Sequence, residues 1–447
     1  NPLFLEELAR AVAEQGDLAA ARAVPDTLRA LLSSRMDRLP AAPKRLLQTA
    51  AVLGREFPRR LLETVWDGPG SVAAQLAELA RLDFVHELSA GEDPAYAFNH
   101  ALTQEVAYES LLTPHRHTLH ETAARALESG CEGRPERQWE RLAYHWTRTP
   151  QADKAVEALR RVATRAMGAY ANAEAVAALR EAETHAARLT TDRERVTLQL
   201  ALDRSQAQFL LGQVQESLED LRARADLVEL VGDPSLTAHY HFRLASALGV
   251  LGDSARAIEH AERALAEAHH VGDVATEGKA EYILARESFW SGDLRRGVDH
   301  GRRAVVLLDR AGERWWLALA HWARALSYLL LGRFDEALDS ATWARTIADK
   351  LRDPRLASQA AWTSGWIHAT RGDWATGIEA GRRALELAPD EMSRAVAEGF
   401  LGTCYVEKGD TTAALPLLEQ ATETLGRLRF RQLEGFFTIL QGLAHAQ

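Results

Sequence analysis

Apolar residues recur through most of the chain at the three- and four-residue spacing of an amphipathic helix. In one such segment they stand at Ala257, Ile258, Ala261, Ala264 and Leu265. Each segment spans about five to six helical turns, and glycines separate the segments. The pattern therefore predicts consecutive helices of similar length.

The glycines between these segments follow a repeat with a period of about 40 positions. One series marks every second boundary, at Gly212, Gly252, Gly292, Gly332 and Gly372, and Gly409 follows three positions early. A second series lies half a repeat out of phase, at Gly232, Gly272 and Gly312, with Arg352 in the next place. The repeating unit is therefore two helices, and each repeat is predicted to be a helical hairpin.

Aspartate follows glycine at many of these boundaries. A glycine can end one helix in the left-handed conformation, and the aspartate after it can cap the free N–H groups of the next helix. The dipeptide occurs at Gly252-Asp253, Gly292-Asp293, Gly372-Asp373 and Gly409-Asp410. At Pro234 and Pro354 a proline follows the aspartate, and the first helical turn tolerates proline.

Small residues keep the same period and predict positions of close helix packing. They are Ala245, Ala285, Ala325 and Gly365 in the first helix, and Ala264, Ala304, Ala344 and Ala384 in the second. Their phase resembles the tetratricopeptide repeat, although the period is about 40 rather than about 34. Gly297 and Gly377 depart from that pattern. The array is predicted to cover residues 151–447, with a degenerate opening hairpin at about 151–190.

Residues 1–128 show a different pattern of apolar and polar positions, which predicts shorter helical segments and two candidate strands. Leu82, Phe84 and Val85 lie on one side of the polar turn SAGEDP, and Tyr96 to Phe98 lie on the other. This arrangement predicts a small β-hairpin after several helices, as in a winged helix. The predicted fold class is mainly α, with a winged helix followed by a right-handed superhelical array of tetratricopeptide-like helical hairpins.

Four stretches together resemble bacterial STAND-type signalling ATPases, which are linked to cyclase, kinase or transcription-factor outputs. They are NPLFLEEL, VPDTLRALLSSRMDRLP, LLQTAAVLGREFPRRLLE and YAFNHALTQEVAYESLL. The resemblance is specific over about residues 1–190 and rests on the repeat pattern beyond. It implies the end of a helical lid at 1–22, a winged helix at 23–128, a helical linker at 129–150 and the array at 151–447.

In that family a nucleotide-binding module precedes the region seen here, and ADP or ATP is expected only together with that module. The resemblance implies that Pro2 lies against the adenine and that His100 contacts the ADP phosphates. Asn99 and Ala101 stand where the family's Met-His-Asp motif has Met and Asp. Without the family, a lone histidine after a strand such as His100 is more typical of a hydrogen-bonded structural residue, and with the resemblance both interpretations stay open.

Composition and charge narrow the classes of function. The net charge is -10, and residues 23–128 carry 11 basic and 14 acidic residues, so no nucleic-acid partner is expected. With only Cys131 and Cys404, no disulfide framework is expected. No apolar run is as long as a membrane span and no signal peptide is evident, which favours a cytoplasmic protein. A start at Asn1 suggests an excerpt of a longer chain.

No segment of the sequence matches a known catalytic motif closely. The nearest approach to a phosphate-binding loop, from Gly272 to Lys279, has one residue too many. His115, His117 and His120 could suggest a metal, but such a cluster is more typical of a solvated helix start, and no metal is predicted. No activated nucleophile is evident, so the chain is predicted not to be an enzyme.

Tryptophan is concentrated in one region, since 8 of the 11 tryptophans lie within residues 290–374. An aromatic column with one residue in each repeat begins before this region and ends within it: Phe242, Tyr282, Trp322 and Trp362. This column could be core packing between repeats, or it could face the groove with Arg286, Trp290 and Trp366 and bind a protein or peptide partner. The sequence leaves both interpretations open.

The functional hypothesis is a non-catalytic sensor arm. Ligand binding to the array would be coupled to an upstream nucleotide switch, which requires the ligand to bind one state of the switch more tightly. The alternative is a free-standing repeat scaffold that joins proteins.

Overall fold

The computed structural model describes residues 28–89, 94–129 and 138–446 and is predominantly helical. The described residues form two compact units. The first runs to Arg165 and includes Glu181–Leu189, and the second contains Ala166–Arg180 and the residues from Thr190 onward. The predicted end of a helical lid at 1–22 lies outside the described residues. None of the described helices is long and apolar enough to cross a membrane.

The first unit combines helices with a small sheet. Its elements are α1 (Leu28–Asp37), α2 (Ala41–Leu53), β1 (Glu56–Pro58), α3 (Arg59–Val65), α4 (Val72–Arg81), β2 (Val85–Ser89), β3 (Ala95–Phe98), α5 (Ala101–Glu109), α6 (Thr113–Ser129) and α7 (Trp139–Trp146). Two further helices, α8 (Ala152–Gly168) and α9 (Asn172–Ala186), each contribute residues to both units.

The sheet has three antiparallel strands in the order β1-β3-β2. The predicted hairpin is confirmed, because β2 pairs with β3 and Val85 lies opposite Phe98. The strand β1 is an addition to that prediction, and it pairs with the other edge of β3. Its Phe57 packs against Phe98, with ring centroids 5.8 Å apart, and both rings are buried in the core of this unit.

The second unit is a stack of helical hairpins. Its helices are α10 (Arg193–Leu210), α11 (Val214–Arg222), α12 (Ala225–Val231), α13 (Pro234–Val250), α14 (Ser254–Val271), α15 (Val274–Trp290), α16 (Leu294–Ala311), α17 (Arg314–Leu330), α18 (Phe334–Leu351), α19 (Pro354–Thr370), α20 (Trp374–Leu387), α21 (Glu391–Lys408), α22 (Thr411–Arg427) and α23 (Arg431–Ala446). Consecutive helices from α13 onward pack as antiparallel pairs, which confirms a superhelical array of tetratricopeptide-like hairpins.

The predicted turn chemistry is confirmed at both ends of the hairpins. Every glycine of the two predicted series has a positive φ, from 58° at Gly232 to 95° at Gly372. Arg352, which takes a glycine's place, has a φ of 53°. The aspartates after these residues accept N–H groups of the next helix, as Asp253 does from Arg256 and Asp353 does from Leu356.

The periodic small residues are buried where helices touch, as predicted. The glycine at position 377, which departs from the tetratricopeptide pattern, is explained by a close contact between two helices. A Cβ atom on Gly377 would lie 2.8 Å from the carbonyl oxygen of Gly365, and a Cβ on Gly365 would lie equally close to the carbonyl oxygen of Gly377. The backbones of α19 and α20 therefore approach more closely here than two alanines would allow.

Candidate ligand-binding cavity

The first helices of the hairpins face one another across a cavity of about 180 Å³. Among the described residues, those that line it come from α10, from the odd-numbered helices α13 to α21, and from the segment that begins α23. None of these lining residues belongs to the second helix of a hairpin, so the cavity lies on the face that the first helices form, the concave face of the array. This face is where the array can hold a ligand.

The last helix closes this space by returning to the start of the array. The side-chain amide of Gln432 donates to the hydroxyl of Ser254 at 3.1 Å and to the carboxylate of Glu287 at 2.9 Å. Just before α23, Phe430 packs edge-on against Phe209 of α10, with ring centroids 6.3 Å apart. The end of the array therefore contacts its beginning.

Five of the seven predicted partner-binding residues line the cavity: Tyr282, Arg286, Trp290, Trp322 and Trp362. The other two, Phe242 and Trp366, lie outside its lining and pack against aromatic neighbours. Phe242 contacts Trp316, and Trp366 contacts Phe289, Phe400 and Phe436.

Neither simple interpretation of the aromatic column describes it completely. Trp362 is 4% exposed and stacks flat on Phe400 with ring centroids 3.8 Å apart, as a core residue does. Trp322 meets Trp362 edge-on at 6.0 Å and, like Trp290, remains partly exposed. The column is thus packed between repeats and also forms part of the cavity wall.

Arg286 lies in this wall and is paired with a buried carboxylate that does not line the cavity. Its Nε donates to Oε1 of Glu287 at 2.7 Å, and Glu287 is fully buried. The hydroxyl of Ser254 donates to the other carboxylate oxygen at 2.8 Å. Burial opposes the charge on Arg286, but Glu287 and Tyr282 outweigh it and raise the pKa of the guanidinium. Arg286 is therefore charged and already paired.

A second arginine lies in the same wall. Arg355, near the start of α19, forms an ion pair with Asp390, the N-cap residue of α21. Asp390 also accepts the backbone N–H of Ser393 at 2.9 Å. Arg355 and Ser393 are thus held beside the same carboxylate, and both line the cavity.

Several lining residues were not predicted from the sequence. Phe400 continues the aromatic column, but it falls two positions short of the regular spacing after Trp362. The shortened last repeat, visible as the early position of Gly409, is the signal that could have located it. Arg355, Phe430 and Gln432 have no such signal, because the fold of the whole array brings them to the cavity.

The structure describes only one of the two residues that the resemblance implies to bind nucleotide. Pro2 lies outside the described residues. His100 immediately precedes α5, is half-buried, and its ring makes no hydrogen bond within the described part of the chain. Its neighbour Asn99 is engaged instead, donating to the carbonyl of Asp83 at 3.0 Å and contacting Nδ1 of His86 at 2.6 Å.

The histidine cluster of α6 differs from the predicted solvated helix start. His120 is fully buried, its Nε2 lies 3.0 Å from the hydroxyl of Tyr108, and its Nδ1 lies 2.9 Å from Nδ1 of His145. Burial lowers the pKa of His120 and that of His145 to about 3. No group of side chains with metal-ligand geometry occurs among the residues that the structure describes.

Comparison with known proteins finds similar solved structures, while no protein-family model and no curated protein matches the chain. A signal transduction ATPase with numerous domains and a tetratricopeptide repeat sensor, from Pyrococcus horikoshii, is 14% identical with a TM-score of 0.43, over 98% of this chain and 74% of that one. A Rap protein complexed with competence and sporulation factor is 16% identical with a TM-score of 0.48, over 75% and 93%. A thermophilic tetratricopeptide repeat protein from Thermus thermophilus is 22% identical with a TM-score of 0.35, over 44% and 96%. Similarities at this level assign the chain to no family.

Proposed function

We propose that this chain is a non-catalytic sensor arm, in which the helical array binds a protein or peptide partner and couples binding to an upstream nucleotide switch. The observation that carries the binding role is the aromatic cavity on the concave face of the array. Its lining, among the described residues, contains no Asp, Glu, His, Cys or Lys. Such a wall offers apolar surface and hydrogen-bond donors, which suit recognition better than acid–base chemistry.

The coupling role is supported by the resemblance of residues 1–190 to STAND-type ATPases and by the state of His100. Its half-buried ring has no hydrogen-bond partner among the described residues, so it remains free to donate to an anionic oxygen. In this proposal the winged helix and His100 hold the ADP-bound resting state. A partner that binds the array better in the open state would shift the switch toward ATP.

The experiment uses the intact parent protein and measures dissociation of bound ADP. His100→Ala should accelerate ADP dissociation, about 10-fold if the lost hydrogen bond to a charged oxygen contributes about 1.4 kcal/mol. His115→Ala is the matched control, because His115 is exposed on a neighbouring helix. Equal dissociation rates for wild type and His100→Ala would remove the proposed role of this residue.

The alternative function is a free-standing scaffold that joins proteins through the same cavity. The two proposals differ in what precedes the array in the parent. A phosphate-binding loop of the form G-x-x-x-x-G-K-S/T upstream, together with tight ADP binding, supports the sensor. A parent that has no such loop and binds no nucleotide supports the scaffold.

A further inference from the structure

The polar atoms around the cavity indicate which ligand chemistry it accepts, and this inference rests on the proposed binding function. Three lining residues carry a buried polar atom that has neither a hydrogen-bond nor an ion-pair partner among the described residues: Nε1 of Trp322, Oγ of Ser393 and Nε of Arg355. An unpartnered buried polar group costs about 1–3 kcal/mol. The nitrogen atoms of Trp322 and Arg355 can only donate. Each of these atoms exposes almost no surface in this structure, so a slight rotation of its side chain has to turn it toward a ligand whose hydrogen-bond acceptor supplies the missing partner.

Charge decides what kind of acceptor the cavity favours. Arg286 is neutralised by Glu287 at 2.7 Å, and Arg355 is neutralised by Asp390. A carboxylate ligand would lose its hydration in this apolar site without meeting an unpaired cation, which is unfavourable. The acceptor is therefore an uncharged oxygen, such as the carbonyl of an amide.

Volume limits the apolar part of the ligand. An apolar cavity of about 150 Å³ holds one benzene molecule. At about 180 Å³, this cavity accommodates one large side chain and not a whole peptide. Trp290, Trp315 and Trp322 in its wall are partly exposed, so the space communicates with solvent and the rest of a ligand can lie outside.

We propose that the cavity binds the anchor residue of a peptide partner. One uncharged aromatic or branched aliphatic side chain fills the space between the faces of the aromatic column. A backbone carbonyl beside that residue accepts a hydrogen bond from the indole N–H of Trp322 or from the donors of Arg355 and Ser393. A peptide backbone places a neutral carbonyl directly beside each side chain, which matches this combination.

The test begins with N-acetyl-phenylalanine methylamide, which has the anchor ring and two neutral carbonyls. N-acetyl-phenylalanine, which carries a free carboxylate on the same ring system, is the matched probe. Titration of the full chain is followed by nuclear magnetic resonance of the tryptophan indole N–H groups. The neutral probe should bind about 5-fold or more tightly than the acid, and it should shift the indole resonance of Trp322. Equal or tighter binding of the acid would overturn the inference.

Variants locate the binding. Trp322→Phe keeps an aromatic ring but removes the N–H, and it should weaken the neutral probe about 5-fold, equivalent to about 1 kcal/mol. Val396→Phe adds volume at a lining position and should abolish binding, while circular dichroism reports the fold. Trp374→Phe, at an exposed position of α20, is the control and should leave binding unchanged. Unchanged binding in both Trp322→Phe and Val396→Phe would overturn the inference.

Failure of this inference and failure of the proposed function are distinguishable. A partner peptide that binds the array but is not displaced by N-acetyl-phenylalanine methylamide would overturn the anchor inference and leave the interaction role intact. Competition between the two would support both. An unchanged rate of ADP dissociation in His100→Ala would contradict only the role of His100 in nucleotide coupling, and it would not bear on the anchor residue.

Discussion

Gly249 lies on α13 directly against the buried pair formed by Arg286 and Glu287. A Cβ atom at this position would overlap Nη2 of Arg286 and Oε1 of Glu287. Neither atom can move easily, because Glu287 is fully buried and also accepts from Ser254 and Gln432. The absence of a side chain at Gly249 is therefore what allows the charged pair to sit between two helices.

We expect Gly249→Ala to lower the free energy of unfolding by about 1–3 kcal/mol, the usual range for overpacking a filled site. Chemical denaturation at neutral pH measures this change. Gly435→Ala is the matched control, because Gly435 also lies within a helix but has nothing within 4 Å of the place its Cβ atom would take. That control should be neutral or stabilising by up to about 1 kcal/mol. Equal effects of the two substitutions would contradict the packing argument.

Spacing predicted three of the cavity-lining residues. Tyr282, Trp322 and Trp362 stand one full repeat apart on the first helices of hairpins and all line the cavity, whereas Phe242, one repeat earlier, does not. Arg355 and Ser393 escaped prediction because their importance comes from a shared contact with Asp390 across repeats. A pattern along one chain does not reveal which polar atoms lack a partner once the helices have packed.

At the scale of elements, α6 and α7 are joined by a buried pair of histidines. Nδ1 of His120 and Nδ1 of His145 lie 2.9 Å apart, so one nitrogen must donate while the other accepts. Burial lowers the pKa of each ring to about 3, and the positive charge of Arg148 acts in the same direction. Both rings are thus neutral in the folded first unit near neutral pH.

This pair should make the first unit sensitive to acid. In the unfolded chain each imidazole takes up a proton as the pH falls below about 6.5, while the folded state resists protonation until about pH 3. The unfolded state then binds more protons, so the free energy of unfolding decreases as the pH falls from 6.5 toward 3. The slope contributed by each histidine is up to about 1.4 kcal/mol per pH unit.

The double variant His120→Gln, His145→Gln should flatten this dependence, because glutamine does not titrate. Denaturation of wild type and variant at several pH values between neutrality and mild acid measures the difference in slope. His115→Gln, at an exposed position of the same helix, should keep the steep dependence because the buried pair remains. Parallel pH profiles for wild type and the double variant would show that the pair does not titrate as described.

The helices themselves were largely predictable because their boundaries carry chemical signals. A glycine with positive φ followed by a capping aspartate ends one helix and begins another at most repeats. The strand β1 was missed because Glu56–Pro58 is only three residues long and shows no alternation. Its existence depends on pairing with β3, a tertiary event that short windows of sequence do not encode.

At the scale of the second unit, the closure of the array is the feature that the sequence did not predict. A regular repeat predicts that neighbouring hairpins stack, but the curvature that brings α23 back to α13 and α15 depends on small rotations summed over every interface. Contacts that set those rotations, such as the close approach of Gly365 to Gly377, are spread along the array. The cavity between the first helices is a product of that sum.

The side chain of Gln432 joins α23 to the earlier hairpins, because its amide donates hydrogen bonds to Ser254 and to the buried carboxylate of Glu287. We expect Gln432→Ala to lower the free energy of unfolding by about 1–3 kcal/mol, because a hydrogen bond to a charged group is lost and Glu287 keeps fewer donors. Amide hydrogen exchange should accelerate across α23, which contacts the start of the array, before it accelerates in α15. Gln441→Ala removes the same side chain from the same helix and should change neither quantity substantially. If amide exchange across α23 is equally fast in wild type and in Gln432→Ala, then ring packing, such as that of Phe430 on Phe209, suffices to keep the array closed.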